Sequence, residues 1–183
     1  MNKKILSLSV AALVLASANA NAFYVGAGVG SSKTKLEDTT YDKDAAFSVY
    51  TGMSIPLPLI PIRGEVELFN LKSEKNTDEG KIQGAAANAY IGLPLLPIIK
   101  PYIGMGLTYS QLKASSVIGT LKSDWGVRPQ YMIGLDLSLP LIPVAGGIEY
   151  RYMDSTFDGK DFSGDDSIKA KVHTIMMKGR FSF

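Results

Sequence analysis

Hydrophobic side chains recur at every second position in eight separate segments of this chain, and this alternation limits the fold more than any other feature of the sequence. The segments span residues 23–30, 47–55, 62–69, 87–93, 102–109, 130–139, 147–152 and 174–183. A period of two puts successive side chains on opposite faces of a β-strand. After residue 22, no apolar run reaches the roughly 18 residues that a transmembrane helix needs. The pattern therefore predicts an all-β protein whose strands have two chemically different faces.

Charged residues in these segments or within two residues of them fall on the face opposite the aliphatic side chains. They are Arg63, Glu65, Glu67, Lys100, Arg128, Asp136, Glu149, Arg151, Lys178 and Arg180. A basic side chain facing lipid at the middle of a bilayer costs ~2–4 kcal/mol. We therefore predict that the aliphatic row faces hydrocarbon and the charged row faces the lumen of a barrel. A soluble lipocalin-like barrel, the alternative fold, would have an apolar interior.

The segments are joined by two kinds of connection that alternate along the chain. Polar connections span residues 35–44, 72–81, 112–124 and 153–168. Short proline-rich connections span Pro56–Pro61, Pro94–Pro97 and Pro140–Pro143. An even number of strands returns the last strand beside the first, with long loops outside the cell and short turns in the periplasm. The fold predicted is an eight-stranded antiparallel up-and-down transmembrane β-barrel.

The first 22 residues have the composition of a secretory signal peptide. Lys3 and Lys4 precede an uncharged apolar run, and the small residues up to Ala22 fit a signal-peptidase site. We expect cleavage after Ala22, which leaves residues 23–183 as the barrel domain. Removal of two lysines from 19 basic and 17 acidic residues leaves a formally neutral chain, with no basic stripe for nucleic acid. The absence of cysteine excludes disulfides and thiolate metal sites.

Ionised side chains of both signs inside a narrow lumen must find partners, because an unpaired buried charge costs several kcal/mol. The predicted members of this lumen charge network are Arg63, Glu65, Glu67, Arg128, Glu149, Arg151 and Arg180. The sequence leaves two interpretations open. The network is either interior packing of a filled barrel or the lining of a narrow, gated ion path.

Four segments resemble strands of the small Gram-negative outer-membrane barrel superfamily, the OmpA/OmpX/Opa-like, porin-family eight-stranded barrels. They are Phe23–Gly30, Lys100–Gly106, Gly147–Tyr152 and the C-terminal His173–Phe183. The resemblance implies a location in the cell outer membrane and Phe183 as a signal read by the barrel assembly machinery. It also implies outer-membrane lipid and lipopolysaccharide, and a host or surface ligand at the loops, as partners. Because no peptidoglycan-binding domain follows Phe183, tethering to the cell wall is not expected.

The resemblance leaves the activity open, because members serve as anchors, adhesins, small channels and enzymes. His173 is the only histidine. Lipid A deacylase, a barrel enzyme, uses a histidine and a serine two residues further on, but here that position is Ile175. We therefore predict no catalytic residue, no cofactor and no metal site. The expected function is a non-enzymatic surface barrel that contributes to envelope integrity or adhesion through its extracellular loops; the alternative is a narrow outer-membrane channel.

Overall fold

The computed structural model describes residues 23–36, 39–55, 60–75, 78–93, 98–116, 119–123, 125–138, 142–158 and 167–183. Nine strands occupy them: β1 (Phe23–Leu36), β2 (Thr39–Ile55), β3 (Ile62–Lys75), β4 (Asp78–Gly92), β5 (Ile99–Ser116), β6 (Gly119–Lys122), β7 (Gly126–Ser138), β8 (Val144–Asp158) and β9 (Ser167–Ser182). The described residues contain no helix that is long and apolar enough to cross a membrane. The predicted signal peptide, residues 1–22, lies outside the described residues.

Eight of these strands form a closed antiparallel ring, which confirms the predicted fold. The order around the sheet is β4-β3-β2-β1-β9-β8-β7-β5, and pairing of β4 with β5 closes it. The ninth strand, β6, pairs with the end of β5, on the edge that β7 occupies lower down. Consecutive long strands are therefore neighbours in space, as in an up-and-down barrel.

The strand register fixes the tilt of the barrel wall. A row of paired residues that leaves β5 at Lys113 passes Lys81, Lys72, Ala45 and Ser31. It continues through β9, β8 and β7 and returns to β5 at Ile103, ten residues lower. A stagger of this size in an eight-stranded barrel tilts the strands by about 40° from the axis. An apolar band ~25 Å tall then uses about ten residues of each strand.

The strands are longer than this band, which corrects the predicted polar loops. β1 to β5 have 14 to 18 residues each. Most of residues 35–44 and 72–81, predicted as loops, therefore belong to strands that continue pairing beyond the band. The alternation of hydrophobic residues stops where the hydrocarbon stops, but backbone pairing does not need lipid. The sequence pattern therefore ended the strands too early.

The two faces of the wall have the orientation predicted from the position of charge. Val66, Ile133 and Ile148 point outward and are 49%, 57% and 56% exposed. Arg63 and Arg151 point inward, where they are 8% and 5% exposed. A barrel with an aliphatic outer face and buried charges in its lumen matches a hydrocarbon environment, and it differs from a water-soluble carrier with a wholly apolar interior.

Candidate functional site

The lumen is lined in its periplasmic half by tyrosines that each lie across a glycine on the neighbouring strand. The directly opposed pairs are Tyr24–Gly52, Tyr50–Gly26, Tyr90–Gly104 and Tyr102–Gly134. A Cβ atom at any of these glycines would overlap the facing ring, so the missing side chain is what lets the ring lie flat against the wall. The Arg63 guanidinium carbon lies over two of these rings, 4.4 Å from the Tyr90 centroid and 4.7 Å from the Tyr102 centroid.

Ion pairs begin near the periplasmic end of the lumen. Asp136 accepts from Arg180 at 2.7 Å and also pairs with Arg63. The Nε of Arg63 lies 3.2 Å from a Glu65 carboxylate oxygen. One guanidinium thus links carboxylates that reach the lumen from β3 and from β7. Each of these groups is at least four-fifths buried, so the pairs are shielded from bulk water.

A second group of ion pairs continues from Glu65 toward the middle of the barrel. Lys178 lies 2.9 Å from Glu65 and 3.4 Å from Glu149. Arg151 donates to Glu149 at 2.7 Å and lies 2.9 Å from Glu67. Glu67 and Glu149 are both completely buried. Every carboxylate in this group therefore has at least one cationic partner in direct contact.

The two groups form one continuous and formally neutral network of four acids and four bases. In order of contact its members are Arg180, Asp136, Arg63, Glu65, Lys178, Glu149, Arg151 and Glu67. Amide groups extend it, because Asn88 donates to Glu67 at 2.9 Å and Gln130 donates to Asn88 at 2.6 Å. Balanced charge of this kind offsets the cost of burying eight ions.

Tyrosine hydroxyls satisfy further carboxylate oxygens of the network. Tyr24 and Tyr90 donate to the two oxygens of Glu65 at 3.1 and 3.2 Å. Tyr102 donates to Glu149 at 3.1 Å. Such neutral donors satisfy lone pairs without adding charge, and they hold the carboxylates in one position.

The structure brings six of the seven residues predicted for the lumen charge network into this connected set. The exception is Arg128, which lies eight residues from Asp136 along β7, about 25 Å toward the extracellular end. There it is buried and donates to the backbone oxygen of Ser110 at 2.7 Å and to that of Gly126 at 3.0 Å. The alternation of side chains along the strand predicted the correct face for Arg128, but it does not give the height of a residue along the barrel axis.

The predicted set also lacked two members of the network, Asp136 and Lys178. Both lie on the inward face, and Lys178 is two residues from Arg180 on β9. Charge balance could have indicated Asp136, because the predicted set held four arginines and three glutamates and thus lacked one carboxylate. Only the alternation of side chains on β9 could have indicated Lys178.

An apolar cluster, called the apolar plug below, occupies much of the lumen above the ionised layer, and sequence analysis missed it. Its members are the buried residues Ala46, Phe69, Leu71, Ile82, Ala86, Leu112, Met153, Val172 and Met176. Phe69 and Leu71 follow Glu67 on the same inward face of β3. The sequence contained a signal for the plug, because these side chains occupy the same alternating positions as the lumen acids. The inward face had, however, been interpreted as charged along its whole length. The plug shares this part of the lumen with buried polar side chains, among them Ser48 opposite Phe69 and Gln130 opposite Met153.

The remaining candidate residues lie on the exterior or at the rim. The Tyr150 hydroxyl lies 2.7 Å from the Nδ1 of His173, and the Trp125 ring stacks on Tyr109 with centroids 5.1 Å apart. Phe183 is half exposed, and its backbone N–H donates to the oxygen of Phe23 at 3.0 Å. Its role as an assembly signal stays a prediction. Within the described ranges, no three His, Cys, Asp or Glu side chains are grouped so that they could hold a metal ion.

Comparison with known proteins agrees with this geometry. The sequence model of a family described as "Outer membrane protein beta-barrel domain" matches residues 5–181. No curated protein matches the chain. Among solved structures, Neisserial surface protein A (NspA) has a TM-score of 0.68 at 16% identity, over 88% of this chain and 97% of its own. Ail, the attachment invasion locus protein of Yersinia pestis, has a TM-score of 0.57 at 14% identity, over 89% of this chain and 100% of its own. Identities this low show a shared fold only.

Proposed function

Because the chain belongs to the outer membrane protein β-barrel family, we propose that it is a sealed, non-enzymatic surface barrel that contributes to envelope integrity or adhesion through its extracellular hairpins. The observation that carries this proposal is the packing of the lumen, where paired charges occupy the lower half and the apolar plug occupies much of the part above. This packing favours a barrel that conducts nothing and acts through the surface that it presents to lipid and to the outside.

The length of the strands supports a role for the extracellular end. β2 and β5 have 17 and 18 residues, against about ten needed to cross the apolar band. The excess residues form paired strands that project above the membrane. A stiff, hydrogen-bonded projection presents its connections at a defined distance from the lipid, which suits contact with another surface.

The environment of His173 supports the non-enzymatic part of the proposal. Its ring faces outward and contacts Tyr150 and Tyr152, and no serine hydroxyl stands at position 175 to act with it. Lipid A extracted from cells with and without the protein should therefore have identical mass spectra. A lost acyl chain in cells that carry the protein would refute this part.

Planar bilayers test the sealed lumen. We expect no discrete conductance steps from the wild-type barrel. A variant that shortens the plug, Phe69→Ala with Met176→Ala, should begin to conduct, because water can then enter the upper lumen. The matched control is Leu68→Ala, which changes a neighbouring outward side chain and should stay silent. Steady openings of the wild type would contradict the proposal and favour the narrow channel.

Cells test the surface role. A deletion strain should lose adherence to host cells or matrix, or become more sensitive to detergent and bile salts. The wild-type gene should restore the lost property, and a variant with residues 159–166 replaced by a short Gly-Ser segment should not, although it still folds. If neither property changes on deletion, the proposed function is wrong.

A further inference from the structure

We propose that three lysines on the outer wall of the barrel, Lys72, Lys81 and Lys113, form a binding site for the phosphate groups of lipid A in the outer leaflet. These three residues are called the lysine ladder below. The inference rests on the orientation of the barrel in the outer membrane, and it does not depend on adhesion or on a sealed lumen.

The register places the lysines of the ladder directly opposite one another on adjacent strands. Lys72 of β3 pairs with Lys81 of β4, and Lys81 pairs with Lys113 of β5. The next position in the same row, on β6, is Lys122. Like charges directly opposite on neighbouring strands are destabilising. Four successive lysines in one row therefore repel one another unless anions from outside the row bind to them.

The protein does not supply those anions within the part of the chain that the structure describes. None of the ion pairs or side-chain hydrogen bonds found there involves a lysine of the ladder. The closest carboxylates in the register are Glu74 and Glu79, which oppose each other in the next row outward, farther from the membrane. On the side facing the membrane, the adjoining row holds only the amides Asn70, Gln83 and Gln111.

The height of the ladder matches the phosphate layer of the outer leaflet. Each lysine lies four residues beyond the last apolar residue of its strand's outer face, which is Leu68, Ala85 or Tyr109. At ~3.3 Å per residue and a tilt of about 40°, four residues correspond to roughly 10 Å along the membrane normal. Lysine has a flexible stem that can bring its ammonium group several ångströms closer to the headgroups.

The direction of the ladder favours a membrane lipid over a soluble polyanion. Its lysines project from the side wall, on the same face as the lipid-contacting residues below them, and not from the hairpin tips. The row is also inclined, because rows of paired residues are perpendicular to tilted strands. The ammonium groups therefore lie at graded heights, which suits the two phosphates of a lipid A molecule standing against the wall.

The chain contains a matched control for the ladder. Lys171 is exposed on the outer face of β9, four residues beyond the apolar Ile175. It has Asp154 directly opposite on β8 and Lys35 on β1. Lys171 therefore shares the height of the ladder residues and the exposed position of Lys72, but it has a carboxylate neighbour in its own row.

The test is a binding titration of the refolded, full-length barrel domain in zwitterionic detergent with bisphosphorylated lipid A. Trp125, the only tryptophan, lies on the same side of the barrel and reports binding through its fluorescence. Substituting Lys72, Lys81 and Lys113 by Gln together should raise the Kd at least about tenfold at low salt, because each lysine near an anionic lipid surface contributes to binding. Lys171→Gln should change the Kd less than about twofold. Dephosphorylated lipid A should bind the wild type and the triple variant equally weakly.

Several outcomes would overturn the proposal. One is a triple variant that binds bisphosphorylated lipid A as tightly as the wild type. Another is a wild type that prefers heparin to lipid A and loses that preference in the triple variant, which would assign the ladder to a sulfated polysaccharide. Removal of like-charge neighbours should leave folding intact, as checked by heat-modifiable gel mobility. If the triple variant does not fold, Lys81→Gln, the central position, should still raise the Kd, and an unchanged Kd would reject the site.

Discussion

Replacing Arg151 by methionine should be among the most destabilising single changes in the lumen. Arg151 contacts Glu67 and Glu149, and both carboxylates are completely buried. Methionine keeps most of the volume but leaves the network with four acids and three bases. Breaking a buried ion pair by removing one partner costs ~3–5 kcal/mol, because the remaining charge stays desolvated.

The structure also predicts which second substitution should rescue this variant. After loss of Arg151, Glu149 still has Lys178 at 3.4 Å and the Tyr102 hydroxyl at 3.1 Å. Glu67 retains only the amide of Asn88. Neutralising Glu67 should therefore recover more stability than neutralising Glu149. Of the loss, we expect Glu67→Gln to recover about 1–3 kcal/mol and Glu149→Gln less than half as much.

Urea unfolding of the barrel in phosphatidylcholine vesicles, followed by gel mobility and fluorescence, measures these free energies. Lys171→Met on the outer wall is the control and should change stability by less than about 0.5 kcal/mol. Two results would refute the reasoning: a cost below about 1 kcal/mol for Arg151→Met, or equal rescue by the two glutamine substitutions. Either result would mean that water or relaxation of the structure, and not the ion pairs of Arg151, offsets the cost of burying the carboxylates.

Three further predictions use the same assay or cell fractionation. Gly104→Ala and Gly134→Ala should each lose ~1–3 kcal/mol, because the added methyl overlaps a lumen tyrosine, whereas Gly64→Ala, which meets no atom within 4 Å, should lose less than about 1 kcal/mol; equal losses at all three would contradict the close packing. Ile133→Lys should lose ~2–4 kcal/mol in vesicles, because it places a charge in hydrocarbon, and an unchanged stability would place the wall outside lipid. Deleting Phe183 should reduce the amount of folded barrel in the outer membrane of cells but not refolding in detergent; normal assembly in cells would rule out its role as a signal.

The orientation of the wall could be predicted from the sequence because lipid imposes a large energetic penalty on one face. The alternation of side chains along the strands was enough to predict that Arg63 and Glu149 face the lumen and that Val66 and Ile148 face outward. No comparable penalty acts above the apolar band, where both faces meet water. The ends of the strands left no trace in the hydrophobic pattern for that reason, and the loops were predicted too long.

The partners within the lumen could not be predicted, because they depend on the stagger of the closed ring. Arg63 contacts Asp136, 73 residues away, only because the strand register shifts by ten residues in one circuit of the barrel. With a different stagger the same inward residues would meet at other heights. The sequence determines which face each charge occupies, but the stagger of the whole sheet determines its partner.

The positions of the paired charges also tie the network to closure of the ring. Arg63, Glu65 and Glu67 all come from β3, whereas their partners Asp136 and Arg151 come from β7 and β8. In the order β4-β3-β2-β1-β9-β8-β7-β5, strand β8 lies diametrically opposite β3. The contact from Arg151 to Glu67 therefore crosses the lumen and can form only after both halves of the sheet have come together. A hairpin containing β3 alone would carry two carboxylates and one guanidinium with no route to neutrality, so the ionised layer favours the closed barrel over any open sheet. The pairs that cross the lumen thus stabilise the closed ring. For this reason their loss should affect stability far more than the loss of an ion pair between neighbouring strands on the outer wall.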